Sequence, residues 1–187
     1  MSILFNFEGP KGSGKSTIIN KFLDDYPNIS VRKFDSNTIV TNDEFIYASQ
    51  NDVIFDRGIL SYQIYDWLWN NNISKQEKLD FSTYSLNIKT PINKEHFDYL
   101  IKNIKYKLVI FYSSDIELLI NRINKRKAEI NKGADELEWK TLHDSNLYFK
   151  YMGMFLQELY PDKVVLIDVN NNMNIDEMYN FIKKDIL

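Results

Sequence analysis

Apolar residues occur along this 187-residue chain in two patterns, which alternate from one segment to the next. Short runs that are rich in apolar residues are typical of buried strands, and they occur at 3–7, 29–34, 53–55, 108–112 and 164–169. Apolar residues spaced three and four positions apart are typical of amphipathic helices, and this spacing occurs at 16–23, 43–50, 59–69, 94–104, 116–123, 137–159 and 175–186. The alternation predicts one α/β domain, in which helices cover both faces of a parallel five-stranded sheet.

The composition narrows the class of protein. Hydrophobic residues make up 44% of the chain, which is enough for a buried core, and the absence of cysteine excludes disulfides and thiolate metal sites. Acidic residues outnumber basic ones by 26 to 23, so the basic excess of a general nucleic-acid binder is missing. No apolar run reaches the roughly 18 residues of a membrane span, and no basic and apolar leader opens the sequence. We expect a cytoplasmic protein without a membrane partner.

The stretch FEGPKGSGKST, residues 7–17, follows the first predicted strand and opens the first helix. It matches the phosphate-loop pattern G-x-x-x-x-G-K-[ST]. In this pattern the glycines let backbone N–H groups turn toward phosphate oxygens, the lysine brings charge to the β- and γ-phosphates, and the serine hydroxyl is a ligand for Mg²⁺. The sequence therefore predicts a site for ATP and Mg²⁺. Its predicted residues are Gly9, Pro10, Lys11, Gly12, Ser13, Gly14, Lys15, Ser16 and Thr17.

A second chemical signal ends the third predicted strand, where the apolar residues of VIFDRG give way to Asp56 and Arg57. An aspartate beside a phosphate loop can bind Mg²⁺ together with Ser16, or accept a proton from the attacking hydroxyl. An arginine has the planar fork that holds transferring phosphates with two hydrogen bonds. We predict that Lys15, Asp56 and Arg57 are catalytic. The alternative for Asp56 and Arg57 is an ion pair at a surface turn.

FEGPKGSGKST together with DRGILSYQIY, residues 56–65, resembles the thymidylate kinase and deoxynucleoside kinase branch of the P-loop nucleotide kinases. The resemblance implies the strand order 2-3-1-4-5 and ATP-dependent phosphoryl transfer to a deoxynucleoside monophosphate. It also implies a small-molecule acceptor, and a homodimer as one option, since the family often forms dimers. The aspartate–arginine pair resembles the pair found in thymidylate kinases, whereas deoxynucleoside kinases usually carry glutamate–arginine at this place. The matching positions that imply substrate binding are Glu8, Arg57, Ser61, Gln63 and Tyr65.

The segment NRINKRK, residues 121–127, resembles the helix that enters the lid of these kinases. Four cations lie in it, and a cation that closes over the phosphates stabilises the charge on the transferring group. We predict a lid at about 124–136, with Arg126 in the catalytic role and Arg122 near the phosphates of ATP. For Arg122, a solvated helix face is an equal alternative.

The acceptor region is expected at about 34–51 and 59–91. Phe45 and Tyr47 are candidates to stack on a base, although such aromatics more often pack in the core. The family carries an arginine for the monophosphate on the helix here. The corresponding stretch NDEFIYASQND, residues 42–52, contains no basic residue.

Several alternatives for the acceptor therefore stay open. Arg32 and Lys33 could replace the missing arginine. Lys11 stands where thymidylate kinases generally carry an acid, and a lysine cannot accept hydrogen bonds. The missing arginine favours a neutral nucleoside, and the Asp56–Arg57 pair favours a monophosphate. A kinase for a nucleic-acid end or base is a third alternative, disfavoured only weakly by the acidic charge, and a nucleotide-binding module without catalysis is a fourth.

Overall fold

The computed structural model of the chain describes residues 2–35, 38, 40–58, 60–61, 64–65, 105–129, 136–170 and 174–184. Its strands are β1 (Ile3–Glu8), β2 (Ser30–Lys33), β3 (Val53–Asp56), β4 (Lys105–Tyr112) and β5 (Val164–Asp168). Its helices are α1 (Lys15–Asp25), α2 (Asn42–Gln50), α3 (Ile116–Glu129), α4 (Glu136–Leu159) and α5 (Ile175–Lys184). Residues 60–61 and 64–65 are also helical. No helix within these ranges is long and apolar enough to cross a membrane.

The five strands form one parallel sheet in the order β2-β3-β1-β4-β5. The predicted parallel α/β sheet and its strand order are confirmed. In the register, Asp56 of β3 lies level with Phe7 of β1 on one side and with Lys33 of β2 on the other. The carboxyl ends of these three strands therefore meet at one edge of the sheet, which is where open α/β sheets bind their ligands.

Helices cover both faces of the sheet because neighbouring positions of a strand point to opposite sides. Phe5 and Phe7 of β1 face one side, where both rings pack against Phe22 of α1. Leu4 of β1 belongs to the cluster on the other side, together with Tyr148 of α4. Burial on both faces explains why the strands have nearly continuous apolar runs in the sequence.

Two element boundaries differ from the sequence prediction by three residues or more. β4 begins at Lys105 instead of 108, and it buries Tyr106 near its start. α3 continues to Glu129 instead of ending at 123, because the polar residues NKRKAE include good helix formers and no glycine or proline. The first part of the predicted lid is therefore helical, and its remainder at 130–135 lies outside the described residues. The predicted helix at 94–104 and most of 59–91 also lie outside them.

A charged contact, the α1–α5 clasp of Asp25, Tyr179 and Lys183, joins the last helix to the first. Lys183 Nζ donates a hydrogen bond to Asp25 Oδ2 at 2.8 Å, and the Tyr179 hydroxyl donates to the same carboxylate. Tyr179 also packs edge-on against Phe22, with 4.8 Å between the ring centroids. The hydrogen bonds from Lys183 and Tyr179 hold the pKa of Asp25 below its ordinary value. The clasp therefore ties α5 to the helix that begins after the predicted phosphate loop.

Replacing Asp25 with asparagine should slightly lower the melting temperature at about pH 7, because the ionised carboxylate is paired there. A carboxyl whose pKa is depressed by folding stabilises the native state above its unfolded pKa of 3.8. This stabilisation is lost as the pH falls through the lower folded pKa, so the difference between wild type and Asp25→Asn should shrink below about pH 4. Asp24→Asn changes the exposed neighbouring carboxylate and is the matched control. A difference that stays constant from neutral to acidic pH contradicts the role of the charge.

Candidate active site

The loop between β1 and α1 is packed tightly against β4. Gly9 has a φ of 144°, which L side chains rarely adopt. A Cβ atom at this position would lie 2.7 Å from the Phe111 carbonyl oxygen of β4, so the loop needs a glycine here. Gly14 is the N-cap residue of α1, and the helix begins at Lys15. The first N–H groups of α1 have no partner within the helix and form its positive end beside the loop.

Lys15 is buried inside the loop, with 7% of its surface exposed. Its Nζ donates hydrogen bonds to Gly9 O at 2.7 Å and to Pro10 O at 3.0 Å, and a longer one to Ser13 Oγ at 3.3 Å. Burial lowers the pKa of Lys15 to about 8, and the positive charge of Arg57 contributes in the same direction. The ammonium group is therefore held in place by carbonyl oxygens, in a position where an anionic ligand stabilises its charge.

A cavity of about 200 Å³ opens where this loop meets the carboxyl ends of β2 and β3. It is lined by Lys11, Gly12, Ser13, Gly14, Lys15, Ser16, Lys33, Phe34, Asp35, Asp56, Arg57 and Arg126. The four residues that we predicted to be catalytic, Lys15, Asp56, Arg57 and Arg126, thus surround one space. The lining also contains most of the predicted nucleotide-binding loop. Its remaining members Gly9 and Pro10 turn their carbonyls to Lys15, and Thr17 is exposed on α1.

The charges around the cavity suit an anion with a hydrated divalent cation. Five of the lining side chains are cationic and two are acidic. Within the described parts of the chain, no three histidine, cysteine or acidic side chains come together to hold a metal by themselves. Mg²⁺ usually keeps several waters and binds through one or two carboxylates plus the phosphates of a substrate. Ser16 and Asp56 both line the cavity and fit this kind of donor set.

Two arginines of α3 approach the loop from the side of the predicted lid. Arg122 Nη1 donates a hydrogen bond of 3.4 Å to Gly12 O, and burial lowers the pKa of Arg122, as does the charge of Arg126. Arg126 lies one helical turn further on and lines the cavity itself. Arg122 therefore contacts the backbone of the loop, whereas Arg126 faces the space where a ligand would bind.

The end of β2 supplies lining residues that were not among the predicted site residues. The sequence predicts Lys33 only as a substitute for a missing arginine, and it includes Phe34 and Asp35 in the acceptor region without a separate role for either. The Phe34 N–H donates to Asp56 O at 3.1 Å, and its ring packs edge-on against Phe55 at 5.0 Å. The expected strand order was the signal for these residues, because it sets β2 beside β3 and so brings the carboxyl end of β2 close to that of β3.

Arg32 and Lys33 lie in different environments although they are neighbours. The Arg32 guanidinium stacks over the Tyr47 ring at 4.5 Å, and its Nε lies 3.6 Å from Glu44 Oε2. Lys33 instead lines the cavity. Of the two basic residues considered for the acceptor, the structure brings only Lys33 to the predicted catalytic residues.

Phe45 and Tyr47, the candidates for base stacking, do not lie at the cavity. Phe45 is buried in the core, with its ring 5.7 Å from that of Phe55. Tyr47 lines a polar cleft near the amino ends of the strands, together with Ser2 and Asp52. The spacing of apolar residues along α2 predicts a helix here but does not show which end of the sheet a given aromatic faces.

Of the other described residues that were predicted to bind substrate, Glu8, Ser61 and Tyr65 are not part of the cavity lining. Glu8 is wholly buried and does not line the cavity, and its oxygens accept hydrogen bonds from Leu60 N at 3.2 Å and from Ser61 Oγ. Glu8 and Ser61 therefore bind each other. Burial raises the pKa of Tyr65, and the nearby charge of Arg57 opposes this rise. Gln63 lies outside the described residues.

Comparisons with known proteins find similar folds among solved structures. No family model matches the chain, and no curated protein matches it. The YorR protein of Bacillus subtilis, in complex with phosphorylated GDP, has a TM-score of 0.61 and 18% identity, covering 97% of this chain and 94% of that one. The thymidylate kinase of Candida albicans has a TM-score of 0.56 and 17% identity, with 98% and 90% covered. The deoxyadenosine kinase of M. mycoides, with bound dCMP and dCDP, has a TM-score of 0.51 and 18% identity, with 97% and 96% covered. The chain therefore has the fold of the P-loop nucleotide kinases, as its phosphate loop and strand order imply.

Proposed function

We propose that this protein is an ATP-dependent kinase that transfers a phosphoryl group to a deoxynucleoside monophosphate. The observation that carries this proposal is the convergence of Lys15, Asp56, Arg57 and Arg126 on one cavity beside the phosphate loop. These residues come from α1, from β3 and the position directly after it, and from α3, so their meeting is a property of the fold and not of one local motif. Similar folds include a thymidylate kinase and a deoxyadenosine kinase, which supports a nucleotide or nucleoside kinase.

The phosphate loop forms the donor side of the site. Backbone N–H groups of the loop and the positive end of α1 bind the β- and γ-phosphates of ATP, and Lys15 moves its ammonium group from the loop carbonyls to these phosphates. Ser16 and Asp56 would hold Mg²⁺, which would supply positive charge to offset that of the phosphates. Arg122, which already contacts Gly12 O, keeps the predicted lid helix close to the loop.

Two arginines carry the transfer step. Arg57 follows β3 and Arg126 lies on α3, and both side chains line the cavity. A guanidinium stabilises the charge that spreads over the phosphoryl oxygens during transfer, and an arginine in this role contributes roughly 10³–10⁵ in rate. The lid, at about 124–136, brings Arg126 over the phosphates and excludes water from the site.

Lys33 supports an acceptor that carries a negative charge. The cavity has three more cationic than acidic lining side chains, five against two. MgATP neutralises only part of this excess, so an anionic acceptor is better matched than a neutral one. Lys33 lies beside Asp56, at the end of the cavity that β2 and β3 form, and we assign it to the phosphate of the acceptor. The acceptor region would then include residues 34–51 and 59–91.

A deoxynucleoside kinase is the second candidate. It is favoured by the absence of a basic residue on α2 and by the likeness to the deoxyadenosine kinase fold. In such an enzyme Asp56 would accept the proton of the attacking hydroxyl. A homodimer and a cytoplasmic location stay predictions that rest on the resemblance and on the sequence.

Lys15→Met should abolish the release of ADP, with a loss of at least about 100-fold, because the charge that stabilises the transferring phosphoryl group is removed. ADP release is measured with a panel of nucleosides, nucleoside monophosphates and oligonucleotides. Lys21→Met is the matched control and should stay active. In the wild type, Lys21 lies on the same helix but pairs with Asp176 and not with the loop. Turnover by Lys15→Met at the wild-type rate refutes the role of Lys15.

The panel also separates the alternatives for the acceptor. A response to nucleosides alone shows that the monophosphate assignment is wrong and favours the deoxynucleoside kinase. A response to oligonucleotides alone favours a kinase for nucleic-acid ends. Nucleotide binding without ADP release in the presence of any acceptor favours a module without catalysis.

Lys33→Ala should raise the KM for the monophosphate about 10- to 100-fold, which corresponds to the loss of one charged hydrogen bond. The KM for ATP should stay unchanged, because Lys33 lies on the acceptor side of the cavity. Arg32→Ala is the matched control, since Arg32 is the adjacent cation and stacks on Tyr47 away from the cavity. An effect of Lys33→Ala on the KM for ATP alone, or an equal effect of Arg32→Ala, contradicts the assignment of Lys33.

A further inference from the structure

Glu8 is a buried ionisable group that the proposed mechanism does not use. It ends β1, directly before the phosphate loop, and 0% of its surface is exposed. Oε1 accepts a hydrogen bond from Leu60 N and Oε2 accepts one from Ser61 Oγ. Each carboxyl oxygen thus already has a protein donor, and both donors belong to the segment that follows Arg57.

Arg57 begins this segment in an unusual backbone conformation. Its φ is 69°, and it is the one residue other than glycine that has a positive φ among the described residues. An arginine in the left-handed region is strained and persists only where the surrounding structure holds it. The Arg57 N–H donates a hydrogen bond of 2.9 Å to Phe7 O of β1. The strained residue is therefore anchored directly to the strand that leads into the phosphate loop.

Gly58 continues the same pattern of contacts with β1. A Cβ atom on Gly58 would lie 2.8 Å from Asn6 Oδ1 and 2.9 Å from Asn6 Nδ2, so the segment packs flat against the buried amide of Asn6. Asn6 Nδ2 in turn lies within hydrogen-bond distance of the Tyr106 hydroxyl, at 3.4 Å. Three consecutive residues of β1 thus hold the segment from Arg57 to Ser61: Asn6, Phe7 and Glu8.

We propose that Glu8 is a positioning residue for Arg57, and that it fixes the guanidinium relative to the phosphate loop instead of contacting a substrate. This inference rests on the proposed function in that Arg57 acts on the transferring phosphate. Glu8 holds the end of the segment by accepting hydrogen bonds from Leu60 and Ser61. Phe7 O holds its beginning by accepting one from the Arg57 N–H. A kinase needs the donor loop and Arg57 at a fixed separation, because a displacement of about 1 Å can cost about 100-fold in rate.

The charge state of Glu8 determines which variants test this role. Burial raises the pKa of Glu8 to about 7, while the hydrogen bond from Ser61 and the charge of Lys15 oppose the rise. Hydrogen bonds from Asn6 and Leu60 also oppose this rise in the pKa of Glu8. The Tyr106 hydroxyl lies close to both Asn6 and Glu8. The Ser61 hydroxyl can donate to a carboxylate and accept from a carboxylic acid, so the contact persists in both states. Glutamine reproduces the neutral state, whereas leucine has a similar size and makes neither hydrogen bond.

Glu8→Leu should lower kcat/KM for the acceptor by about 10- to 100-fold and leave the KM for ATP unchanged. Glu8→Gln should stay within a few-fold of the wild type, because its carbonyl accepts from Leu60 N and its amide donates to Ser61 Oγ. Melting temperatures of both variants show whether the fold is retained. A merely structural role predicts that a stably folded Glu8→Leu has wild-type kinetics, and this result overturns the proposal.

A double-mutant cycle with Arg57→Lys tests whether Glu8 acts through Arg57. Residues that act through one another give non-additive effects, so Glu8→Leu should lower the rate of Arg57→Lys much less than that of the wild type. Fully additive losses show that Glu8 acts independently of Arg57 and overturn the proposal.

Amide hydrogen exchange provides a test that does not depend on catalysis. In the protein without added ligand, Glu8→Leu should speed exchange of the Arg57 amide, which is bonded to Phe7 O, without speeding exchange in α1. Glu8→Gln should leave it unchanged. If the wild type transfers phosphate to no acceptor, the proposed function fails while this experiment still tests the positioning of Arg57. Unchanged exchange at Arg57, or a rise that extends through α1, overturns the inference.

Discussion

The level register of β1, β2 and β3 is the constraint on which the candidate site depends. Asp56 lies opposite Phe7 on one side and Lys33 on the other, so the phosphate loop and both charged strand ends open at the same edge. Slipping either pairing by one residue would turn a whole strand over and carry its site residues to the opposite face. Phe55 and Ile54 oppose this slip, because each is buried in the cluster on its own face of β3, and a slip would move each side chain into the cluster that is packed around the other.

The register also brings Lys15 and Arg57, two cations that repel each other, close together. Lys15 loses hydration by burial and lies near Arg57, and both effects favour the neutral amine. The carbonyl oxygens of Gly9 and Pro10 partly offset this cost. A site in which cations repel one another gains more from binding an anion than a neutral surface does, since the anion relieves the repulsion as well as adding its own contacts. An uncharged molecule relieves none of this repulsion and so gains no such advantage.

The sequence predicted the parts of the site that local patterns encode. The phosphate loop is contiguous, and Asp56 and Arg57 stand where an apolar run ends, so strand pattern and chemistry point to the same positions. Other features depend on contacts between distant segments. Whether Phe45 faces the core or a ligand, or whether Arg32 or Lys33 turns toward the cavity, depends on how α2 and β2 pack against β3. The contacts of Leu60 and Ser61 with Glu8 also depend on the fold, and the chain alone does not show them.

The packing of the phosphate loop has a consequence for the order in which the site is assembled. Gly9 lies against the backbone of Phe111, and α1 is tied to Lys183 of α5, so the supports of the loop lie far along the chain. On the ribosome the loop sequence emerges before β4 and α5, so it cannot adopt its final packing until β4 has been made, or gain the α1–α5 clasp until α5 has followed. Synthesis thus delays a competent phosphate loop until most of the domain can fold around it.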